Sequence, residues 1–203
     1  HIAYDIGAAG VALRLAERLN APAVMANFSR LVVDPNRGED DPTLIRQLYD
    51  ETIIPANRRI DPAAIERRMA MCYRPYHEAV GRLVNQVDDA VVISVHSFTP
   101  RLRHHELRPW HVGLLYADDA RLSLPLADLL RREGGLVVGQ NEPYPGYLEG
   151  DTIDRHASLQ GRHNTLIEIR NDLIENDDGQ LEWAERFARL LPEALDMAET
   201  QGA

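Results

Sequence analysis

The chain has 203 residues, 44% hydrophobic and 27% charged, enough for one globular domain with its own core. Its formal net charge of −10 leaves no basic footprint for nucleic acid, so no such partner is expected. A single cysteine, Cys72, excludes an internal disulfide and a multi-cysteine zinc site, and no apolar run approaches the roughly 20 residues of a membrane span. We expect one domain over residues 1–203, cytoplasmic and with no membrane partner. Because the chain opens at His1 and moves straight into helix-like sequence, we also expect a natural protein that continues upstream.

Asp5 to Leu19 carries Ile6, Val11, Leu15 and Leu19 on one face with Arg14, Glu17 and Arg18 opposite. That pattern predicts an amphipathic helix, with Asp5 suitably placed to cap it. Pro22–Ala26 and Leu31–Val33 read as short extended segments, the second running into the polar turn Asp34-Pro-Asn-Arg37. Gly38 to Asp61 is a long polar excursion of the kind that often carries function. From Pro62, the helical spacing of Ile65, Met69, Cys72, Tyr76, Val80, Leu83 and Val87 predicts a helix that Pro75 must kink or break.

Ala90-Val-Val-Ile-Ser-Val-His96 is apolar and rich in β-branched residues, the pattern of a strand buried on both faces and stopping at its histidine. A basic loop, Arg101–His111, follows, then a strand over Val112–Tyr116, a helix over Asp118–Arg132 and a strand over Leu136–Val138. Gln140–Arg162 is rich in Gly, Pro and Tyr and has the shape of a lid. A strand over Thr165–Ile169 and a helix over Gln180–Met197 close the chain. Strands alternating with helices predict a three-layer α/β fold, a mostly parallel central sheet with helices on both faces.

Three polar groups end or interrupt apolar strands: Asn36-Arg37, His96 and Glu168. In open α/β sheets ligands bind beyond the carboxyl ends of strands, where His96 falls; a core or capping histidine is the plainer alternative. Glu168 sits inside Leu166-Ile-Glu-Ile169, where burial should exclude a carboxylate. It is either a general acid/base tuned by burial or half of a buried ion pair with a neighbour such as Arg170. Arg37 offers an always-charged fork for a carboxylate, or else caps its loop from the surface.

Together the three segments resemble known enzymes. Ser94-Val-His-Ser-Phe98 resembles the strand end that supplies the last zinc-ligand histidine of zinc carboxypeptidases. Asp34-Pro-Asn-Arg37 resembles the turn with which they and the aspartoacylases grip a substrate carboxylate, and Ile167-Glu-Ile-Arg170 resembles their general-base segment. Longer stretches are similar to the N-formylglutamate amidohydrolase family: Ser29-Arg-Leu-Val-Val-Asp-Pro-Asn-Arg37, His96-Ser-Phe-Thr-Pro100, Arg108-Pro-Trp-His-Val-Gly113, Asn141-Glu-Pro-Tyr144 and Glu168-Ile-Arg-Asn-Asp-Leu-Ile174. The likeness runs from about Tyr4 to Glu185.

The resemblance implies a phosphorylase/hydrolase-like α/β fold and zinc-dependent hydrolysis of N-formyl-L-glutamate to formate and glutamate, a late step in histidine breakdown. One Zn2+ per chain would polarise the carbonyl and acidify its bound water. By the same likeness His96 is a zinc ligand, Glu168 the general base, and Asn36 and Arg37 the carboxylate grip. A catalytic zinc usually takes three protein ligands, and this chain lacks the upstream His-x-x-Glu pattern of the carboxypeptidases. Family members carry a histidine-bearing loop in the region preceding His1. Asp5 can supply a carboxylate ligand, although helix capping explains it equally well. Tyr144 in the lid and His156 are further substrate contacts by this reading, against a plain loop tyrosine and a surface histidine. Arg58 and Arg108 add positive potential suited to a substrate with two carboxylates. His104 and His105 look solvated, Trp110 a packing anchor, and Met69, Met71 and Cys72 helix-core residues. The rivals are a deacylase for another N-acyl amino acid or peptide-like substrate, and a catalytically silent carboxylate-binding domain.

Overall fold

The computed structural model describes residues 1–202. Helix α1 (Ala8–Leu19) buries Ala8, Val11 and Leu15, and begins after Gly7, whose φ of 77° only glycine adopts without strain. Asp5 therefore does not cap it; the helix starts later than the periodicity alone suggested, and the Asp5 carboxylate is free for other partners. Pro22–Ala26 and Leu31–Val33 form no strands. Phe28, Val32 and Val33 instead pack as a satellite cluster with Leu44, Ile45, Met69 and Tyr73.

The excursion after Gly38 contains a small antiparallel hairpin, β1 (Leu48–Tyr49) and β2 (Thr52–Ile53), and is bolted by a buried asparagine. Asn57 Nδ2 donates to the carbonyls of Leu31 at 2.8 Å and Arg46 at 2.7 Å, while its Oδ1 accepts from Arg68 Nη1 at 2.7 Å. The expected break at Pro75 resolves into helix α2 (Pro62–Arg68), a π-helical turn over Met69–Tyr73, and helix α3 (Arg74–Val84). The three segments run on without a break, and the π-helical turn immediately before Pro75 accommodates the backbone donor it lacks. Met69 is buried, but Met71 is 76% exposed and so is no core residue.

The main sheet comprises β3 (Val92–Phe98), β4 (Val112–Leu115), β5 (Val138–Gln140) and β6 (Asn164–Arg170) in the order β3-β6-β4-β5. β3/β6 and β4/β5 are parallel and β4/β6 antiparallel, a mixed but mostly parallel sheet. β3, whose sequence pattern predicts a strand buried on both faces and ending at His96, is an edge strand of mostly half-buried residues that runs through His96 to Phe98. The two interior places belong to β6, whose first six residues are all buried, and to β4, buried throughout.

Alternation along the strands divides the sheet into two chemically different faces. Ile93, Val95, Val112, Leu114, Ile167 and Ile169 meet α1, α4 (Ser123–Arg132) and α6 (Asp177–Gly202) in the main core. On the other face, Val92, Leu115 and Leu166 pack against Ile153 of the short helix α5 (Thr152–His156) and against Tyr144. α5 lies inside the stretch read as a lid, and Asp151 caps it by accepting from Asp154 N at 2.8 Å. The second face also carries His96 and Glu168.

Candidate active site

In the parallel β3/β6 ladder His96 is the register partner of Glu168. Register partners on neighbouring strands share a face and stand about 5 Å apart, so the period-two pattern places imidazole and carboxyl side by side. The loop before α1 completes the arrangement. Ser97 Oγ donates to the Ile6 carbonyl at 2.7 Å, holding that loop on β3, and His96 Nδ1 donates to Asp5 Oδ2 at 2.6 Å. Burial opposes charge on both partners, yet their mutual hydrogen bond and attraction raise His96 and hold the Asp5 carboxyl below the usual range.

Arg30 was absent from the residues singled out in the sequence, and it ties this dyad to the turn. Its Nη1 donates to Asp5 Oδ1 at 3.2 Å, while Nε and Nη2 reach Asp34 Oδ2 at 3.2 and 2.8 Å. Asp34, 1% exposed, accepts the Asn36 backbone N–H on its other oxygen at 3.1 Å, fixing the Asp34–Arg37 turn. The only local signals for this bridge are the i,i+4 spacing of Arg30 and Asp34 and a carboxylate opening a polar turn.

Glu168 is 8% exposed, and its Oε2 is buried without a hydrogen-bond partner. Burial raises its carboxyl to about 7; the positive charges of His96, Arg30 and Arg108 oppose that rise and Asp5 adds to it. The alternative ion pair with Arg170 is not formed, since Arg170 Nε donates to Asp172 at 2.8 Å. A buried carboxyl poised near neutrality, with one oxygen unpaired, is suited to proton transfer.

The remaining expected residues divide in two. Asn36 is buried, its Oδ1 accepting from Thr152 N at 3.4 Å. Arg37 is partly committed to its own loop, through Thr43 Oγ1 at 3.0 Å and the Asn36 carbonyl at 2.6 Å. Arg108 Nη1 donates to Tyr144 Oη at 3.1 Å and to the Thr99 carbonyl at 3.2 Å, so loop and lid residues meet close to Glu168. Asp5, Arg30, Asn36, His96 and Thr152 lie at one end of a mainly apolar cavity of about 650 Å³ that runs along α1, β3 and α3.

His156 is neither a surface residue nor turned to this site. It is buried and stacked on His77, with His77 Nδ1 and His156 Nε2 3.0 Å apart, joining α3 to α5. Arg58 is exposed, and no hydrogen bond or ion pair involves its side chain among the described residues. His104 and His105 are exposed, as expected.

The metal expectation meets an unfavourable geometry. Among the described residues no group of three His, Cys, Asp or Glu is placed to hold a metal ion, and the two expected donors, His96 and Asp5, face each other in a hydrogen bond. These residues alone do not fit a three-ligand zinc site. Nor, among them, is any helix long and apolar enough to cross a membrane.

The chain is 34% identical to a gene product of Agrobacterium tumefaciens of known crystal structure, with a TM-score of 0.92 over 98% of this chain and 80% of that one. An N-formylglutamate amidohydrolase from Ralstonia eutropha, 24% identical, shares the fold at a TM-score of 0.70 over 97% of this chain and 83% of its own. The N-formylglutamate deformylases of Pseudomonas putida and Pseudomonas aeruginosa are 26% and 29% identical over 171 residues, 76% of this chain. The chain spans 63% and 64% of those two relatives, less than two thirds of their length. The family model for N-formylglutamate amidohydrolase matches residues 1–175, and the chain belongs to that family.

Proposed function

We propose that the protein hydrolyses the amide bond of N-formyl-L-glutamate to formate and L-glutamate, with Glu168 as the general base. The observation that carries the reading is the buried, unpartnered Glu168 oxygen beside the His96–Asp5 dyad. A carboxyl near 7 can accept a proton from the attacking water and return it to the leaving amine within one turnover. Asn36 and Arg37 hold the substrate's α-carboxylate, and the Arg108–Tyr144 pair closes on it from the loop and lid. Asp5, fixed by Arg30, orients the His96 imidazole.

Zinc enters the proposal through the family alone: His96 and Asp5 are hydrogen-bonded to each other and do not by themselves form its site, so no step is drawn through it. The carboxypeptidase-like sheet belongs to it in the same way, as does the place in histidine breakdown. The test is formate release from N-formylglutamate, with and without added zinc, alongside a metal analysis of the protein. Absence of formate release from folded, zinc-loaded protein would overturn the assignment.

The apolar cavity ending at His96 favours a second reading, a deacylase for an amino acid bearing a larger acyl group. A series of N-acylglutamates of rising chain length decides between them: preference for formyl supports the first, and preference for longer chains the second.

A further inference from the structure

The segment from Arg30 to Arg46 gathers three guanidinium groups, and two of them donate to acceptors within the protein. Arg30 holds Asp5 and Asp34. Arg37 donates to Thr43 and to the Asn36 carbonyl. The Arg46 side chain makes no hydrogen bond among the described residues. Its Nε is shielded from water without an acceptor, 3.8 Å from an Asp34 oxygen that Arg30 already occupies.

The position is nevertheless built. Asn57 grips the Arg46 carbonyl and the Leu31 carbonyl together, fixing the residue against the segment that leads into the Asp34–Arg37 turn. The guanidinium lies 4.7 Å from the centre of the Tyr49 ring, a cation–π contact that restricts its swing. Arg46 thus stands beside the Asp34–Arg37 turn.

The electrostatics call for an anion. Burial, then the neighbouring Arg37 and Arg30 charges, pull the Arg46 guanidinium below its ordinary range, with Asp34 only partly compensating. A cation left half-buried with open donors is stabilised by a charged acceptor, and a guanidinium fork matches a carboxylate.

We infer that Arg46 is a second carboxylate-binding residue of the site, taking the side-chain carboxylate of an N-acylated acidic amino acid while Asn36 and Arg37 take its α-carboxylate. The inference rests on the function proposed above and assigns that site its preference for a dicarboxylate. Arg46 acts in binding and takes no part in proton transfer.

The experiment compares N-formylglutamate with N-formylglutamine, which differ in one charge, on wild type, Arg46→Gln and Arg46→Lys. Arg46→Gln is expected to raise KM for N-formylglutamate by about 10- to 100-fold, the worth of a charge-assisted hydrogen-bonded pair. It should also bring the ratio of kcat/KM between the two substrates close to one. Arg46→Lys, which keeps the charge and loses the fork, should fall between. Equal losses on both substrates, or an unchanged ratio, would overturn the inference.

Calorimetric titration with glutarate separates this from the reaction itself. Binding to wild type that weakens at least tenfold in either variant supports the Arg46 site even if N-formylglutamate is not turned over. Equal glutarate affinity in all three proteins refutes it.

Discussion

Glu168 lies directly across the β4/β6 ladder from Gly113, and the glycine is what lets the lid reach it. A Cβ built on Gly113 would stand 1.9 Å from the Glu142 carbonyl oxygen, so the chain after β5 rests on bare backbone beside the carboxyl. A side chain at this position would lift the Asn141–Tyr144 segment and admit water to Glu168. Gly113→Ala should therefore cost about 1–3 kcal/mol of stability, as overpacked sites do, and a larger share of turnover. Denaturant unfolding and kinetics on one preparation test this; unchanged values for both would show that the lid does not bear on Gly113.

Glu168→Gln keeps the shape of the side chain and removes the base. Loss of about 100-fold or more in kcat is expected with little change in folding, the range of a positioned acid/base group. The wild-type kcat/KM should rise with pH through about 7, because only the unprotonated carboxyl accepts the water's proton. A flat profile from pH 5.5 to 8.5, with turnover retained in the variant, would remove Glu168 from the mechanism.

Arg30→Lys leaves one positive charge where a planar fork served two carboxylates. An ammonium cannot meet Asp5 and Asp34 in the same geometry, so the His96 side chain loses its anchor. A stability loss of about 1–3 kcal/mol is expected, with kcat falling more than KM rises. Wild-type kcat in a stably folded Arg30→Lys protein would show that the bridge is only structural.

The His77–His156 pair predicts acid sensitivity away from the catalytic carboxyl. Burial, then the Arg155 charge and His156, push His77 down to about 3, and burial with Arg155 and Arg162 lowers His156 as well. An unfolded histidine takes up its proton near 6.5, so between about 6.5 and 3 the unfolded chain holds more protons than the folded one. Stability is therefore full above that window and is lost as pH falls through it. Between pH 7.5 and 5 the loss from His77 is roughly 1–2 kcal/mol. Urea unfolding of wild type and His77→Phe at both pH values measures it; equal pH dependence would refute the pair's part.

Much of this site could be read from sequence wherever polarity interrupted an apolar strand. His96 and Glu168 stood out because their neighbours were β-branched or aliphatic, and Asn36 and Arg37 because they closed a tight polar turn. Their partners were hidden, because Arg30 gains its second carboxylate, Asp5, and His77 its stacked His156 only from residues distant in the chain. The place of β3 was misjudged for a related reason. A run of apolar residues reports burial, but not which strand takes the interior of a sheet, and β6 had the stronger claim. α5 escaped notice because five residues are too few for helical periodicity.

The ties that define the site are long in sequence. Asp5 and His96 are separated by 91 residues, and Asn36 and Thr152 by 116. No fragment of the chain can hold these groups together without first closing such loops, each at an entropic cost that only the finished core repays. Catalytic competence is thus the last property the polypeptide acquires on refolding and the first it forfeits on partial unfolding. Turnover becomes a stricter gauge of nativeness than helix content, or than the signal of a buried tryptophan such as Trp183.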